Sequence, residues 1–330
     1  MKNIIIFGAT GNVGSYLTLW ARDFFAGKYN IIAVGRRKTD FFAKHNIEYY
    51  SVDISNEKDF EQLPKDNVFA VMHLAAVIPS YMSEYNPMKY MIANTIGTLN
   101  ILEYCRKVGV DRILYTQTVF DISLSVRDGV KTSPDTPRNF SYKGDHAVYV
   151  ISKNAAIDLI EHYHQEHGLK KFIFRFPTIY NYSPFHYYYP NGVKTMRPVY
   201  KMIERAMKSE PIEVWGNPSY SKDMVYVADC AQMMCKAIEA DLTEGLYNVG
   251  TGIPVTIEEQ VKAIIDVFSP KDNPSKIIYC PEKPVGGGFL MDVSNAEREL
   301  GYKPQYDVKQ LFEEYKKEME QNRFAELLNK

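Results

Sequence analysis

A tyrosine and a lysine stand four residues apart in the segment YVISK, at Tyr149 and Lys153. At this spacing both side chains lie on one face of a helix. A phenol with a pKa of about 10 is a poor acid or base at neutral pH, but a neighbouring ammonium stabilises the phenolate and lowers that pKa. The pair is a candidate for proton transfer to a reacting oxygen. A second match, Tyr85 to Lys89, has Pro87 at its centre and is set aside.

Hydroxyl groups precede this pair in the segment RILYTQT, which ends in Thr116 and Thr118. The segment is apolar and short, as in a buried strand. A hydroxyl at the end of that strand can hold the reacting oxygen beside the phenol of Tyr149. We therefore expect Thr118, Tyr149 and Lys153 to form one catalytic group.

Three glycines, Gly8, Gly11 and Gly14, follow the first apolar segment in NIIIFGATGNVGS. This spacing lets the backbone turn sharply, approach a pyrophosphate and pack a helix against the sheet. The amide N–H groups at the start of that helix then face the anion. The strand–loop–helix context predicts a dinucleotide-binding loop.

The second apolar segment, IIAVGRRK, places Gly35 where dinucleotide-binding folds usually have a carboxylate that binds the adenosine ribose. Arg36 and Arg37 follow. A guanidinium can pair with a 2′-phosphate through two hydrogen bonds, so the segment predicts NADP(H) rather than NAD(H), although NAD remains an option. The alternative is that both arginines are solvated loop charges. Asp53 is expected to accept a hydrogen bond from the adenine amino group, although Asp is also common at strand-end turns.

Short apolar segments alternate with helical patterns, such as 12–25 and 94–108, through the first half of the chain. The strand-like segments are NIIIFG, IIAVG, VFAVMHLAA, RILYT and KFIFRF. This alternation predicts an α/β fold, a doubly wound parallel Rossmann sheet with a smaller mixed α/β C-terminal substrate lobe. We place the dinucleotide-binding domain at residues 1–175, with segments near 223–250 returning to it, and the substrate lobe mainly at 176–330.

The composition excludes several classes of protein. The 330 residues carry a formal net charge of -1, whereas a nucleic-acid binder usually has a basic excess. Apolar runs are too short to span a membrane. The cysteines have no metal-ligand spacing, so we expect no metal site but free buried thiols in a reducing cytoplasm. They are Cys105, Cys230, Cys235 and Cys280.

Further motifs follow in a fixed order along the chain. They are GATGNVG, HLAA at 73–76, NTIGTLNILEYCRKVGV, YTQT, YVISK, RFPTIYN, DMVYVADCA, YNVGTG and ERELGYKP. In this order and spacing the chain resembles the extended short-chain dehydrogenase/reductases, the NAD(P)-dependent epimerase/dehydratase family, which mostly act on nucleotide sugars. The resemblance extends over nearly the whole length.

The resemblance implies roles for individual residues. Tyr149 would be the general acid/base, Lys153 would hold the nicotinamide ribose and tune Tyr149, and Thr118 would orient the substrate oxygen. Asn94 would open a helix on which family members often form a homodimer, and it would be either a cofactor contact or an ordinary helix N-cap. The implied cofactor contacts also include Gly8, Thr10, Gly11, Asn12, Val13, Gly14, Arg36, Arg37, Asp53, Ile54, Leu74, Ala75, Ala76, Thr116, Phe176 and Thr178.

The chain departs from the family pattern at two places. Family dehydratases carry an Asp-Glu pair after the catalytic threonine, whereas Val119 and Phe120 stand here, so a 4,6-dehydratase is not expected. Two arginines that often bind the substrate diphosphate are replaced by Lys222 and Lys283. Lysine supplies charge but no bidentate fork.

Other candidate substrate contacts are Val77, His146 and Arg197. His146, next to Asp145, could contact the sugar or carry a proton, or both residues could serve in local hydrogen bonding or capping. Arg197 could bind phosphate or be a surface charge. Trp215 is expected in the core.

These observations predict an oxidoreductase acting on a nucleotide sugar, either a 4-keto-sugar reductase or a sugar epimerase. The arginine pair favours the reductase, because epimerases of this family usually retain NAD(H). Two alternatives stay open: an NADPH-dependent reductase of a non-nucleotide carbonyl compound, and a non-catalytic cofactor-sensing protein on the same fold.

Overall fold

Seven apolar segments form one parallel sheet in the computed structural model, which describes residues 1–144, 146–284 and 288–328. The strands are β1 (Lys2–Phe7), β2 (Tyr29–Gly35), β3 (Glu48–Ser51), β4 (Val68–His73), β5 (Arg112–Thr118), β6 (Lys170–Phe176) and β7 (Glu244–Asn248). Their order is β7-β6-β5-β4-β1-β2-β3, and all neighbours are parallel. All seven residues of β5 are buried, as in a strand covered on both faces. The predicted doubly wound α/β sheet is confirmed.

The helices of the described residues are α1 (Asn12–Phe24), α2 (Pro87–Tyr90), α3 (Gly97–Val108), α4 (Ala147–His167), α5 (Pro198–Met207), α6 (Val227–Glu239), α7 (Ile257–Phe268), α8 (Ser294–Leu300), α9 (Val308–Gln321) and α10 (Ala325–Leu328). Helices α1 and α6 cover one face of the sheet, and α3 and α4 cover the other. Ile4 and Ile6 of β1 pack in the apolar core with α1 and α6, whereas Ile5 and Phe7 pack in the core with α3 and α4. Because successive side chains of a strand point to opposite faces of the sheet, the residues of β1 contribute alternately to two separate cores.

The helix predicted to begin at Asn94 begins earlier. Asn86 caps α2 by accepting a hydrogen bond of 3.2 Å from the backbone nitrogen of Lys89. The chain then passes through a π-helical turn, Met91–Ile96, directly into α3. Asn94 therefore lies inside a continuous helical segment.

Short paired strands build the remaining lobe together with α5, α7 and α9. The pairs are Ile179–Tyr180 with Val225–Tyr226, Tyr187–Tyr188 with Thr195–Met196, Ile212–Trp215 with Ile277–Cys280, Ser221–Asp223 with Pro254–Thr256, and Lys131–Thr132 with Leu290–Met291. Between these pieces the chain returns to the large sheet, where α6 packs on α1 and β7 pairs with β6.

All four cysteines are buried free thiols, as predicted. Within the described residues, no helix combines the length and the apolar character needed to cross a membrane.

Candidate active site

The glycine loop lies between β1 and β4, where the strand order of the sheet reverses. Gly8 has a φ of +89°, and a Cβ atom there would lie 2.6 Å from the backbone nitrogen of Ala75. A Cβ atom on Gly14 would lie 2.0 Å from the carbonyl oxygen of Gly8. Because α1 begins at Asn12, the amides of its first turn are open at this loop. Bare backbone beside a helix N-terminus fits the pyrophosphate of a dinucleotide.

A crevice follows this switch point along the sheet. Predicted cofactor or substrate residues in its wall are Gly8, Thr10, Gly11, Asn12, Arg36, Arg37, Asp53, Ile54, Leu74, Ala75, Ala76 and Val77. The wall also includes residues that the sequence analysis missed, from distant segments: Tyr81, Ala93, Ser183, Phe185 and Leu328. Ser183 and Phe185 stand in the aromatic segment NYSPFHYYYP, in which the sequence indicates that Phe185 could either stack on a base or sugar or pack the lobe.

The two arginines after β2 have different surroundings. Arg36 is exposed and lines the crevice. Arg37 also lines it, but its Nη1 donates a hydrogen bond to the carbonyl oxygen of Leu327 in α10. The hydroxyl of Tyr49 donates to the carbonyl oxygens of Gly35 (3.0 Å) and Arg37, which fixes the turn between the strand and the arginines.

Asp53 lies in the same wall, and its Oδ1 accepts hydrogen bonds from the backbone nitrogen (3.0 Å) and hydroxyl (2.7 Å) of Ser55. Burial raises the pKa of this carboxyl, but the bonds from Ser55 and the charge of Arg36 outweigh it, so that the pKa is lowered. Asp53 is therefore a charged acceptor in the part of the crevice wall that follows β3. Its predicted adenine contact stays a prediction.

Tyr149 and Thr118 meet at the carboxyl end of β5. Both are buried, and the Thr118 side chain is close enough to act on the pKa of Tyr149. Thr118 Oγ1 accepts from the backbone nitrogen of Phe120 at 3.3 Å, which leaves the hydroxyl proton available for donation. Burial raises the pKa of Tyr149 to about 12, and the Thr118 side chain opposes this shift.

Lys153 lies one turn further along α4 and is 2% exposed. Its Nζ is 4.0 Å from the ring centroid of Tyr115 in β5. Burial lowers the pKa of Lys153 to about 7. The protein side chains alone therefore do not lower the pKa of Tyr149, as the neighbouring Lys153 ammonium was expected to do. Burial is the largest influence on the pKa of both residues.

Asn94 fastens α4 to the crevice wall. Its Oδ1 accepts from the backbone nitrogen of Val77 at 2.8 Å, and its Nδ2 donates to the Val77 carbonyl and to Ser152 Oγ, both at 3.0 Å. The N-cap interpretation of Asn94 is therefore wrong. The residue positions Val77 in the crevice and Ser152 beside Lys153.

Five other predicted cofactor residues are not part of the crevice wall, and their contact with a cofactor stays a prediction. Val13 and Gly14 are in the first turn of α1. Thr116 Oγ1 donates to the carbonyl oxygen of His73 at 3.4 Å. Phe176 ends β6, and Thr178 is exposed in the loop that follows it.

A buried ion pair beneath Thr118 was missed by the sequence analysis. Arg175 Nε donates to Asp121 Oδ1 at 3.0 Å, and the side chains are 5% and 2% exposed. Burial raises the pKa of Asp121 although Arg175 opposes it. Gln117 connects this pair to the site: its Oε1 accepts from the Thr118 backbone nitrogen at 2.9 Å, and its Nε2 donates to Asn154 at 2.8 Å.

The two lysines proposed for a diphosphate lie in the second lobe. Lys222 Nζ is 5.8 Å from the ring centroid of Tyr180. Lys283 forms an ion pair of 2.6 Å with Glu213 and lies 5.0 Å from the ring of Trp215. Trp215 is 45% exposed, so its predicted place in the core is wrong.

His146 lies near Tyr149, and Arg197 lies near the crevice wall. The ring of His146 is 6.4 Å from that of Tyr149, at the start of α4. Asp145 lies outside the described residues. The guanidinium carbon of Arg197 is 5.4 Å from the ring centroid of Tyr81, which lines the crevice.

The strand order, the glycine loop and the buried tyrosine–lysine pair define a Rossmann-fold protein of the short-chain dehydrogenase/reductase class. The family model for the NAD dependent epimerase/dehydratase family matches residues 4–250. The chain belongs to this family, which confirms the resemblance stated above.

Individual relatives are similar over almost their whole length. A putative UDP-glucose 4-epimerase of Methanocaldococcus jannaschii is 25% identical over 319 residues, 93% of this chain and 95% of the relative. The UDP-glucose 4-epimerase of Thermotoga maritima, solved with UDP-glucose, has a TM-score of 0.74 at 23% identity and covers 97% of this chain and 99% of its own. The dTDP-glucose 4,6-dehydratase of Bacillus anthracis, solved with NAD, has a TM-score of 0.74 at 20% identity and covers 100% and 99%.

Proposed function

We propose that the protein is an NAD(P)-dependent oxidoreductase that acts on a nucleotide sugar, with Tyr149 as its proton carrier. The observation that carries this proposal is the burial of Tyr149 beside Thr118 at the carboxyl end of β5, next to a crevice that fits a dinucleotide. Val77 joins the two parts, since it lines the crevice and packs in the apolar cluster with Tyr149. Relatives named for UDP-glucose support a nucleotide sugar as the substrate.

Tyr149 would move the proton at the substrate oxygen. Its phenol is protonated at neutral pH, because its pKa is about 12, and can donate to a carbonyl oxygen while the adjacent carbon gains hydride. Thr118 would orient that oxygen. A bound nicotinamide supplies or accepts the hydride. In the oxidative direction Tyr149 must first lose its proton, and a charge on Lys153 would stabilise the phenolate.

Two reactions fit this machinery, a 4-epimerisation and the reduction of a 4-keto sugar. We propose the epimerase first. The case for NADPH-dependent reduction depends on Arg36 and Arg37 binding a 2′-phosphate, and Arg37 is already hydrogen-bonded to the Leu327 carbonyl oxygen. Arg36 in the crevice wall favours the reductase as the second candidate. The apolar Val119 and Phe120 after Thr118 continue to argue against a 4,6-dehydratase. The pairing of Lys283 with Glu213 favours, as a further alternative, a carbonyl substrate without a diphosphate.

A panel of UDP-glucose, UDP-glucuronate and dTDP-glucose, together with a nucleotide-linked 4-keto sugar, separates these reactions. An epimerase converts its sugar without net consumption of cofactor, whereas a reductase consumes one reduced cofactor per turnover with a keto sugar. Tyr149→Phe should lower kcat about 10²–10⁴-fold, since it removes the proton carrier. Tyr163→Phe, on the same helix, is the matched control and should leave kcat unchanged. Full activity of Tyr149→Phe would refute the proposal.

We further propose that Arg36, rather than Arg37, gives the site its affinity for a 2′-phosphate. Arg36→Ala should weaken NADPH binding about tenfold and leave NADH binding unchanged, because a guanidinium pairs with the phosphate alone. Arg37→Ala should change the two affinities equally. Calorimetry on both variants tests this, and equal affinities for NADPH and NADH in the unmodified protein would refute it.

The sheet with its helices would hold the dinucleotide and the second lobe the sugar, in a homodimer. Exposed apolar residues on neighbouring helices support the dimer: Met88, Ile92, Ile96 and Ile151 are 62%, 43%, 47% and 36% exposed. Ile96→Asp should convert a dimer into a monomer in sedimentation experiments, because a buried unpaired carboxylate opposes association. A monomeric unmodified protein would contradict this arrangement.

A further inference from the structure

The last helix, α10, lies on the first lobe rather than on the lobe that precedes it in the chain. The carbonyl oxygen of Leu327 accepts from Arg37 Nη1 at the tip of β2. Glu326 forms an ion pair of 2.9 Å with Lys44 and accepts from Thr39 Oγ1 at 3.3 Å. Three polar contacts thus join α10 to the segment that follows β2.

Apolar packing anchors the same segment. After α9 the chain turns at Asn322, which has a φ of +44°, and Phe324 enters the core. The Phe324 ring centroid is 4.3 Å from that of Tyr16 and 5.7 Å from that of Phe41. Leu327 is 1% exposed. Burial of two large apolar side chains makes this contact stronger than exposed ion pairs alone could.

Leu328 is the residue of α10 that lines the crevice. It is 6% exposed and lines the same wall as Arg36, Arg37 and Asp53. That wall is the adenosine end of the crevice, since it follows β2 and β3 rather than the catalytic end of β5.

We propose that α10 is part of the adenosine site and slows release of the dinucleotide. This inference rests on the proposed dinucleotide binding. Leu328 supplies an apolar contact to the adenosine, and the bond from Arg37 to Leu327 holds it there. Because these contacts hold α10 on the first lobe, a bound dinucleotide leaves only after the contact with Leu328 opens. Slow release suits an epimerase, in which the same cofactor must serve both half-reactions.

The test measures how fast NADH leaves the protein after mixing with an excess of NAD, followed by nicotinamide fluorescence. Leu328→Ala should release NADH about tenfold faster, with a smaller change in the association rate, because contacts of a bound state act mainly on dissociation. A chain ending at Arg323 should release it faster still. Met207→Ala, an exposed apolar residue on α5, is the control and should match the unmodified protein.

The outcomes separate this inference from the proposed function. If Leu328→Ala binds NADH and releases it within twofold of the unmodified rate, α10 is not part of the site, whatever the catalytic activity. Leu328→Ala retains the Phe324 and Leu327 anchors, so this result stands even if the shortened chain fails to fold. If the unmodified protein binds neither NADH nor NADPH, both the inference and the proposed function are wrong.

Discussion

Replacing Arg175 by methionine would leave the carboxylate of Asp121 buried without its guanidinium partner. Two further acceptors lose a donor, because Arg175 Nη1 also donates to the Pro134 carbonyl at 2.8 Å and to Asn248 Oδ1 at 3.2 Å. Removing one member of a buried ion pair costs about 3–5 kcal/mol. The pair lies under the turn that follows Thr118, so the loss should also lower activity.

The size of the effect follows from the length of the chain. At an unfolding entropy of about 2.1 cal/mol/K per residue, 330 residues give roughly 0.7 kcal/mol/K. A loss of about 3–5 kcal/mol then lowers Tm by roughly 4–7 °C. Arg298→Met is the control, since its ion pair with Glu299 is 63% and 28% exposed and should contribute at most about 1 kcal/mol.

Scanning calorimetry at two pH values provides the assay. Burial raises the pKa of Asp121, and loss of Arg175 removes the stronger of the two charges that oppose this rise, Arg175 and Arg138. The folded variant then binds a proton at higher pH than the unfolded chain does, so its stability deficit should shrink as the pH falls from 8 to 5. A Tm within about 1 °C of the Arg298→Met control at both pH values, set against the several degrees expected, would refute this reasoning.

Two other perturbations test single features of the site. Burial lowers the pKa of Lys153 from 10.5 to about 7, so the buried ammonium destabilises the folded state more as the pH falls. Lys153→Met should therefore raise Tm more at pH 6 than at pH 9 in cofactor-free protein, whereas Lys276→Met, at an exposed position, should leave Tm unchanged at both pH values. A rise in Tm that does not depend on pH would contradict this explanation. Gly14→Ala should abolish NADH binding and lower Tm although alanine favours helices, because its Cβ would lie 2.0 Å from the Gly8 carbonyl oxygen. In Gly11→Ala the distance to the same oxygen would be 3.1 Å, so this variant should lose less NADH affinity and less stability. Equal losses in the two variants, in binding and melting experiments, would contradict the steric argument.

Local patterns in the sequence predict the parts of the site that depend on neighbouring residues. The glycine loop, the strand that ends at Thr118 and the helical pair Tyr149 and Lys153 are all short-range features, and the structure has the strand and the helix where they were expected. A few adjacent residues are enough to determine their periodicity and their turns.

Long-range contacts lie beyond such patterns. The bond between Arg37 and Leu327 joins residues 290 positions apart, and no periodicity signals it. The sequence analysis placed Arg175 in a strand but could not predict its ion pair, because its partner Asp121 comes from a different segment. The lowered pKa of Lys153 also escaped prediction, since it depends on complete burial, which is a property of the packed molecule.

The π-helical turn Met91–Ile96 shifts the phase of the helix that contains it. Each residue of an α-helix advances the direction of its side chain by about 100°. Before the turn, Tyr90 lies with its ring 6.1 Å from that of Tyr149; after it, Thr98 Oγ1 is 2.9 Å from Nε2 of His73. Deleting one residue between them would turn one of these side chains by about 100° relative to the other. The length of the chain at this point therefore matters as well as the residue types.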